Sequence, residues 1–269
     1  MAMSITLGIG MIVFQLFHQN EQVFRDQSLI IEMQQNGRAV ASQIADEIRM
    51  AGQGVPVYAA TFDGAPAEAV TSIMPSSTGT RIDFRAGLSN VETSATSPLP
   101  MDCTVGLPAT LSVANASGFA KGDFIYISGP AEDGAWRWVR AELLGVSSNS
   151  LTVVPRQTAH DPVRFVRSPA VTLDEAVSFQ LSGTTIKRAT MSWASWSAAN
   201  EIGRNFSAMT FTYYDAGNRV IAPASLADRA SVARVDVKLV AQTSDFVSNG
   251  SRQSWTISMR SIPRNLRIR

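Results

Sequence analysis

The first fifty residues limit most strongly what this chain can become. Residues 2–17 read AMSITLGIGMIVFQLF, 16 residues without a formal charge, and the first charged side chain is Glu21. The run falls a little short of the roughly 17–25 residues that cross a bilayer as a helix. A secretory signal peptide competes with that reading, but it needs a basic segment before the apolar run and a small-residue cleavage site after it. No basic residue precedes the run, and Phe17-His18-Gln19-Asn20 follows it. From Gln19 to Met50 there is no proline and one glycine, Gly37, so a helix continues. Ile30, Met33, Gly37, Val40, Ile44 and Ile48 recur at steps of three and four residues, which puts them on one stripe facing a core. Glu21 and Arg25 stand four apart in the favourable order for pairing along the exposed side. Gly52-Gln53-Gly54-Val55-Pro56 should end the helix. Residues 2–51 then form a rod of roughly 75 Å. A compact domain of this size cannot bury such a rod from end to end. Its first part belongs in lipid or among other subunits, and its second part serves as the spine of the rest.

Beyond Pro56 the texture changes to short apolar alternations separated by Gly, Ser, Pro, Asn and Asp. Residues 80–85, 234–239 and 253–259 alternate with period two, as half-buried strands do. Residues 123–128, 136–146 and 151–154 form a strand-rich block broken by two turn segments. Ser182-Gly183-Thr184 and Asp215-Ala216-Gly217-Asn218 each join two such runs as a hairpin. Antiparallel strands with one apolar face need cover, and the distal half of the helix offers it. The fold class is therefore α+β: a long N-terminal helix (residues 1–53) packed on an antiparallel β-rich head (residues 54–269). Within the helix, residues 2–20 or so form the part expected in lipid or among other subunits, and residues 21–52 the amphipathic part. Residues 105–169 are expected to be an inserted β subdomain, and residues 89–108, rich in Ser, Thr, Ala and Pro, a long surface loop.

Composition removes most enzyme templates. A single cysteine, Cys103, excludes an intramolecular disulfide framework and a multi-cysteine zinc site, and two histidines leave little for a metal centre. A net charge of +1 argues against a whole-molecule polyanion binder. No cofactor, metal ligand set or catalytic residue is assigned, and the chain is read as a non-enzyme. His160-Asp161 lacks a G-x-S-x-G partner and sits in a proline-containing turn. Asp215 to Asn218 supplies too few oxygens to hold calcium alone, so a plain hairpin is preferred. Trp136 and Trp138 share a strand face, where packing is preferred over a sugar platform. Cys103 is placed in the polar loop as an unpaired thiol. After Asp245 no acid occurs while Arg252, Arg260, Arg264, Arg267 and Arg269 follow. These five form a candidate patch for DNA phosphates or an acidic subunit face, weighed against a solvated edge that resists strand pairing.

The stretch Met33-Gln34-Gln35-Asn36-Gly37-Arg38-Ala39-Val40, followed by Ile44-Ala45-Asp46-Glu47-Ile48-Arg49-Met50-Ala51-Gly52, resembles the second half of the N-terminal helix of PilW-type minor pilins, in the superfamily of type IV pilins and type II secretion pseudopilins. Residues 119–127 (FAKGDFIYI) resemble the β segment inserted in such heads. Residues 177–188 resemble the hairpin before the core sheet, and residues 261–266 (SIPRNL) resemble the family's C-terminal ending. Such proteins carry a basic leader, a prepilin-peptidase site and a glutamate near the start of the mature helix. None is seen here, so the chain is expected to begin a few residues inside that helix.

The resemblance implies assembly rather than catalysis. Ile5, Leu7, Ile9, Met11, Ile12, Val13, Phe14, Leu16 and Phe17 would occupy the bacterial inner membrane, with the head in the periplasm, and later pack against neighbouring helices in a pilus. Gly8 and Gly10 are either sites of close helix approach or merely tolerated. Implied partners are other minor and major pilin subunits, the inner-membrane assembly platform, and membrane lipid before assembly; nucleic acid is a weaker candidate. The expected function is that of a minor pilin in priming or the tip complex of a type IV pilus. The alternatives are a minor pseudopilin of a type II secretion system and a membrane-anchored ligand-binding β-domain outside any filament.

Overall fold

The computed structural model describes residues 2–56, 68–96, 101–192 and 195–263, side chains excepted at residues 2–7, 9 and 192. Helix α1 spans Ala2–Arg49, 48 residues, or roughly 72 Å of rod. It ends where the backbone tightens, the N–H groups of Met50 and Ala51 bonding the carbonyls of Glu47 and Ile48 at 3.0 Å. Gly52 then takes φ +84°, a left-handed conformation that costs glycine little. Its N–H reaches the Arg85 carbonyl at 2.8 Å and so hands the chain to the head.

Among the described residues the strands in chain order are β1 (Arg81–Arg85), β2 (Glu92–Ser94), β3 (Met101–Cys103), β4 (Ala109–Ser112), β5 (Phe124–Pro130), β6 (Trp136–Ser147), β7 (Ser150–Thr158), β8 (Val163–Phe165), β9 (Ala170–Leu173), β10 (Ala176–Ser182), β11 (Thr185–Ser192), β12 (Ser195–Trp196), β13 (Asn200–Gly203), β14 (Phe206–Tyr214), β15 (Val220–Ile221), β16 (Arg234–Gln242) and β17 (Ser254–Ser261). A short helix α2 (Leu226–Ser231), N-capped by Ser225, precedes β16. The pairings among these strands are antiparallel. The molecule is thus α+β, one long N-terminal helix with a β-rich antiparallel head.

Two sheets meet the helix. One runs β15-β14-β16-β17, and the other β1-β10-β11 with β12 and β13 both on β11. Their apolar faces and the distal half of α1 share one core, in which Met33, Val40, Ala41, Ile44 and Ile48 meet Phe84, Phe179, Phe206 and Leu239, with Ile30 packed at its margin. The two hairpins read from the sequence form as β10–β11 and β14–β15.

The third sheet runs β2-β9-β5-β6-β7-β4. Its two edges then meet: Ala95 bridges Val113, the Thr96 N–H bonds the Ser112 carbonyl at 2.6 Å, and the Ala114 N–H bonds the Ser94 carbonyl at 3.1 Å. The sheet is closed into a small barrel, which removes its free edges. Inside lies a second core of Leu111, Ile125, Ile127, Val139, Leu143, Leu151, Val153 and Phe165, and the pair β3–β8 lies across it. The barrel takes in β2 and β9, so this strand-rich block extends beyond the expected 105–169. The supposed surface loop at residues 89–108 also contains β2 and β3. Cys103 is accordingly not in a polar loop: it is buried in β3 and unpaired. The polar composition of that stretch hid its strands because edge closure and a two-strand cap require only a few inward side chains.

Candidate assembly surface

The head reaches the helix first near its midpoint. There the Asp26 carboxylate accepts the Ser248 N–H at 3.0 and 3.1 Å. Ser248, through its side chain and its backbone N–H, holds the Asp26 carboxyl below the ordinary carboxylate value, and Arg25 adds to the pull. Further along, Asn36 donates to the Arg204 carbonyl at 2.8 Å, and the Arg38 guanidinium lies 5.4 Å from the Trp255 ring centre. Arg188 of β11 grips both Glu47 oxygens at 2.9 Å, and the Ser261 hydroxyl donates to the Ala45 carbonyl at 2.8 Å. Of the expected packing stripe, Met33, Gly37, Val40, Ile44 and Ile48 are buried, and Ile30 is half-buried. Ala41 and Ala45 are buried beside them. They lie one residue beyond Val40 and Ile44, at the helical spacing that would have disclosed them.

Gly37 marks the closest approach of helix to sheet. A β-carbon there would stand 2.4 Å from Ile257 Cδ1 and 3.4 Å from both Ala241 Cβ and the Trp255 ring. Asn36, Gly37 and Arg38 therefore each have a packing or hydrogen-bonding task against β13–β17.

N-terminal to Asp26 the helix leaves the head behind. Met11, Ile12, Val13, Phe14, Leu16 and Phe17 are exposed, Phe14 at 73% and Phe17 at 70%, Val23 and Phe24 continue the display, and Ile31 extends it past Asp26. The side chains of Ile5, Leu7 and Ile9 lie outside the described residues, although their backbone is helical. Large apolar side chains in such density normally mark a surface meant to be covered. Among the described residues, no helix is long and apolar enough to cross a membrane.

Of the candidate anionic-partner patch, the two described arginines, Arg252 and Arg260, are not neighbours. Arg252 lies over the Phe246 ring at 5.6 Å, and Arg260 sits 3.8 Å from Asp236. Eight residues separate them, roughly 25 Å of extended chain. Arg264, Arg267 and Arg269 lie outside the described residues. Asp215 spends its oxygens on the Arg219 backbone N–H at 2.9 Å and guanidinium at 2.7 Å. His160 borders a shallow cavity of about 290 Å³. There Asp133 is bound by Arg137 at 2.5 Å and Glu132 pairs with Arg164 at 3.6 Å. Trp138 is buried against Tyr126, Val55 and Val70, whereas Trp136 is 39% exposed, so the two rings do not form one open platform. Among the described residues no group of three or more His, Cys, Asp or Glu could hold a metal ion.

One cluster escaped sequence reading. At the seam between barrel and helix-bound sheets, the fully buried Asp174 carboxylate receives Arg140 at 2.7 Å and Arg85 at 3.4 Å. Arg85 also donates to the Glu68 and Thr71 carbonyls, at 3.1 and 2.9 Å. Arg140 in turn stacks 4.0 Å from the Phe124 ring centre. Burial opposes the Arg85 charge, but Tyr126, Asp174 and Glu68 together raise its pKa above the ordinary value. Three elements distant in sequence thus meet on one carboxylate. Beside it a cavity of about 340 Å³ opens between Phe124, Glu175 and Arg188. Glu175 is committed there to the Ser89 N–H and hydroxyl at 2.9 and 2.8 Å. No protein-family model, curated protein or solved structure matches the chain.

Proposed function

We propose that this chain is a minor pilin of a type IV pilus, PilW-like in its helix and head segments, which takes part in priming or in the tip complex through helix-mediated polymerisation. The observation that carries the proposal is a single helix whose distal half is the spine of a β head and whose proximal half displays large apolar side chains that no described residue covers. In this reading, the barrel is a β subdomain inserted between β1 and β10. Residues 2–20 rest in the inner membrane before assembly, with the head in the periplasm. The assembly platform then draws the helix among those of other pilin subunits. Each Leu, Ile or Phe buried there contributes roughly 1.5–3 kcal/mol relative to water. Lipid and filament interior are comparably apolar, so the exchange between them is close to balanced.

The test places an epitope on the head and looks for it in surface filaments sheared from cells. The head should be recovered with filaments, and the double substitution Leu16→Arg/Phe17→Arg should remove it from them while leaving the head folded. Absence of the tagged head from filaments, with normal piliation after gene deletion, would overturn the proposal in favour of a membrane-anchored binding domain. Normal piliation with lost protein secretion would point instead to a type II pseudopilin.

A further inference from the structure

The free half of α1 carries a pattern finer than general apolarity. Leu16, Val23 and Ile30 are seven residues apart, as are Phe17, Phe24 and Ile31. At 3.6 residues per turn these are two nearly parallel lines on one face of the helix. Between them run Val13, Asn20, Gln27 and Gln34. The opposite face carries His18, Glu21, Gln22 and Arg25, with His18 and Gln22 in hydrogen-bond contact at 3.3 Å. Of the apolar residues, Val13, Leu16, Phe17, Val23, Phe24 and Ile31 are 44–71% exposed. Ile30 already touches the head core, so the stripe begins beside the head and runs down the free helix.

We infer that this stripe pairs with the same stripe of a second copy of this chain, parallel and in register, and that Asn20 and Gln27 set the register. Asn20 and Gln27, walled on both sides by Phe, Leu and Val, are poorly matched by a purely apolar partner, because burial against one would leave the amide groups without hydrogen-bond partners. Facing its own copy in register, each amide meets an identical group that is both donor and acceptor, whereas a slip of one heptad sets Asn20 of one copy against Val13 of the other. A slip of one turn would set amide against phenyl. Six side chains exposing on the order of 80 Å² each give about 1,000 Å² for the pair, the lower bound of a specific interface. The parallel sense rests on the assembly reading, in which all heads lie on one side of the membrane.

The test uses the full chain in bacterial membranes, with single cysteines at Asn20, Gln27 or His18 and mild oxidation. Buried Cys103 stays silent. Asn20→Cys and Gln27→Cys should give disulfide-linked homodimers at least tenfold more than His18→Cys on the opposite face. With Gln27→Cys as reporter, Asn20→Gln should keep the crosslink and Asn20→Leu should lower it at least threefold. Equal yields at all three positions, adducts with a different protein, or, when the Asn20→Cys and Gln27→Cys chains are co-expressed, preferential crosslinks between the two, which require antiparallel or heptad-slipped helices, would each overturn the pairing. Filament recovery of the tagged head separates the two proposals. Filaments containing the head without the crosslink sink the pairing alone, and the crosslink without filament recovery sinks the assembly reading alone.

Discussion

Gly37 is where a single atom decides how helix and sheet meet. With Ile257 Cδ1 2.4 Å from the site of a new β-carbon and Ala241 and Trp255 at 3.4 Å, a side chain there must turn Ile257 out of its place or shift α1 against β16 and β17. Gly37→Val should destabilise the head by about 1–3 kcal/mol, the usual cost of overpacking, even though valine removes a flexible glycine from the helix. Chemical unfolding followed by tryptophan fluorescence measures it. Cys103 illustrates burial of a titratable group. Desolvation, with Asp102 nearby, pushes its thiol from 9.0 up to about 12. The folded protein therefore holds the neutral thiol, and alkylation at pH 8 should be at least ~100-fold slower in the native state than in denaturant. Because the folded value is raised, this thiol's contribution to stability is intact below pH 9 and is lost as pH rises from 9 toward 12.

At the scale of elements, the latch between the Asp245–Ser251 turn and α1 has the opposite pH sense. The Asp26 carboxyl is held below its ordinary value of 3.8, so whatever it contributes is present above pH 4 and is lost as pH falls through the folded-state value. The protection factor of the Ser248 amide, its exchange relative to the intrinsic rate at the same pH, should fall on acidification below that range, and Asp26→Asn should lower it at neutral pH without melting the head. The Asp174 cluster holds larger structures together. Asp174→Ala strands Arg85 and Arg140, both nearly buried, without their shared carboxylate, and removing one side of a buried ion pair costs about 3–5 kcal/mol. Urea unfolding should record a loss of that size. The pair between Arg156 and Glu142, 2.6 Å apart on an exposed flank of the barrel, provides the contrast. Arg156→Ala should change stability by less than about 1 kcal/mol in the same measurement.

For the molecule as a whole, the division of α1 into two halves has a direct consequence. A chain lacking residues 1–25 keeps the apolar core stripe, the Asp26–Ser248 contact and all the described strands. Its head should retain its circular-dichroism strand signal and its cooperative unfolding, while, on the proposed assembly function, losing association with membranes and other subunits. Much of this arrangement was legible beforehand. The charge-free run, the stripe from Ile30 to Ile48, the glycine stop at Gly52 and the two hairpins are local patterns, written in residues within a turn or two of each other, and so the sequence alone determined the long helix, its apolar and amphipathic halves and a β-rich head. It did not determine that Ala95 would meet Val113 and close a barrel, that Arg85, Arg140 and Asp174 would converge, that Cys103 would be buried, or that Arg252 and Arg260 would stand apart. Those were decided by tertiary structure, because a residue's polarity records whether it should be buried but carries no label for its partner, and partners far apart along the chain are chosen only when whole sheets pack.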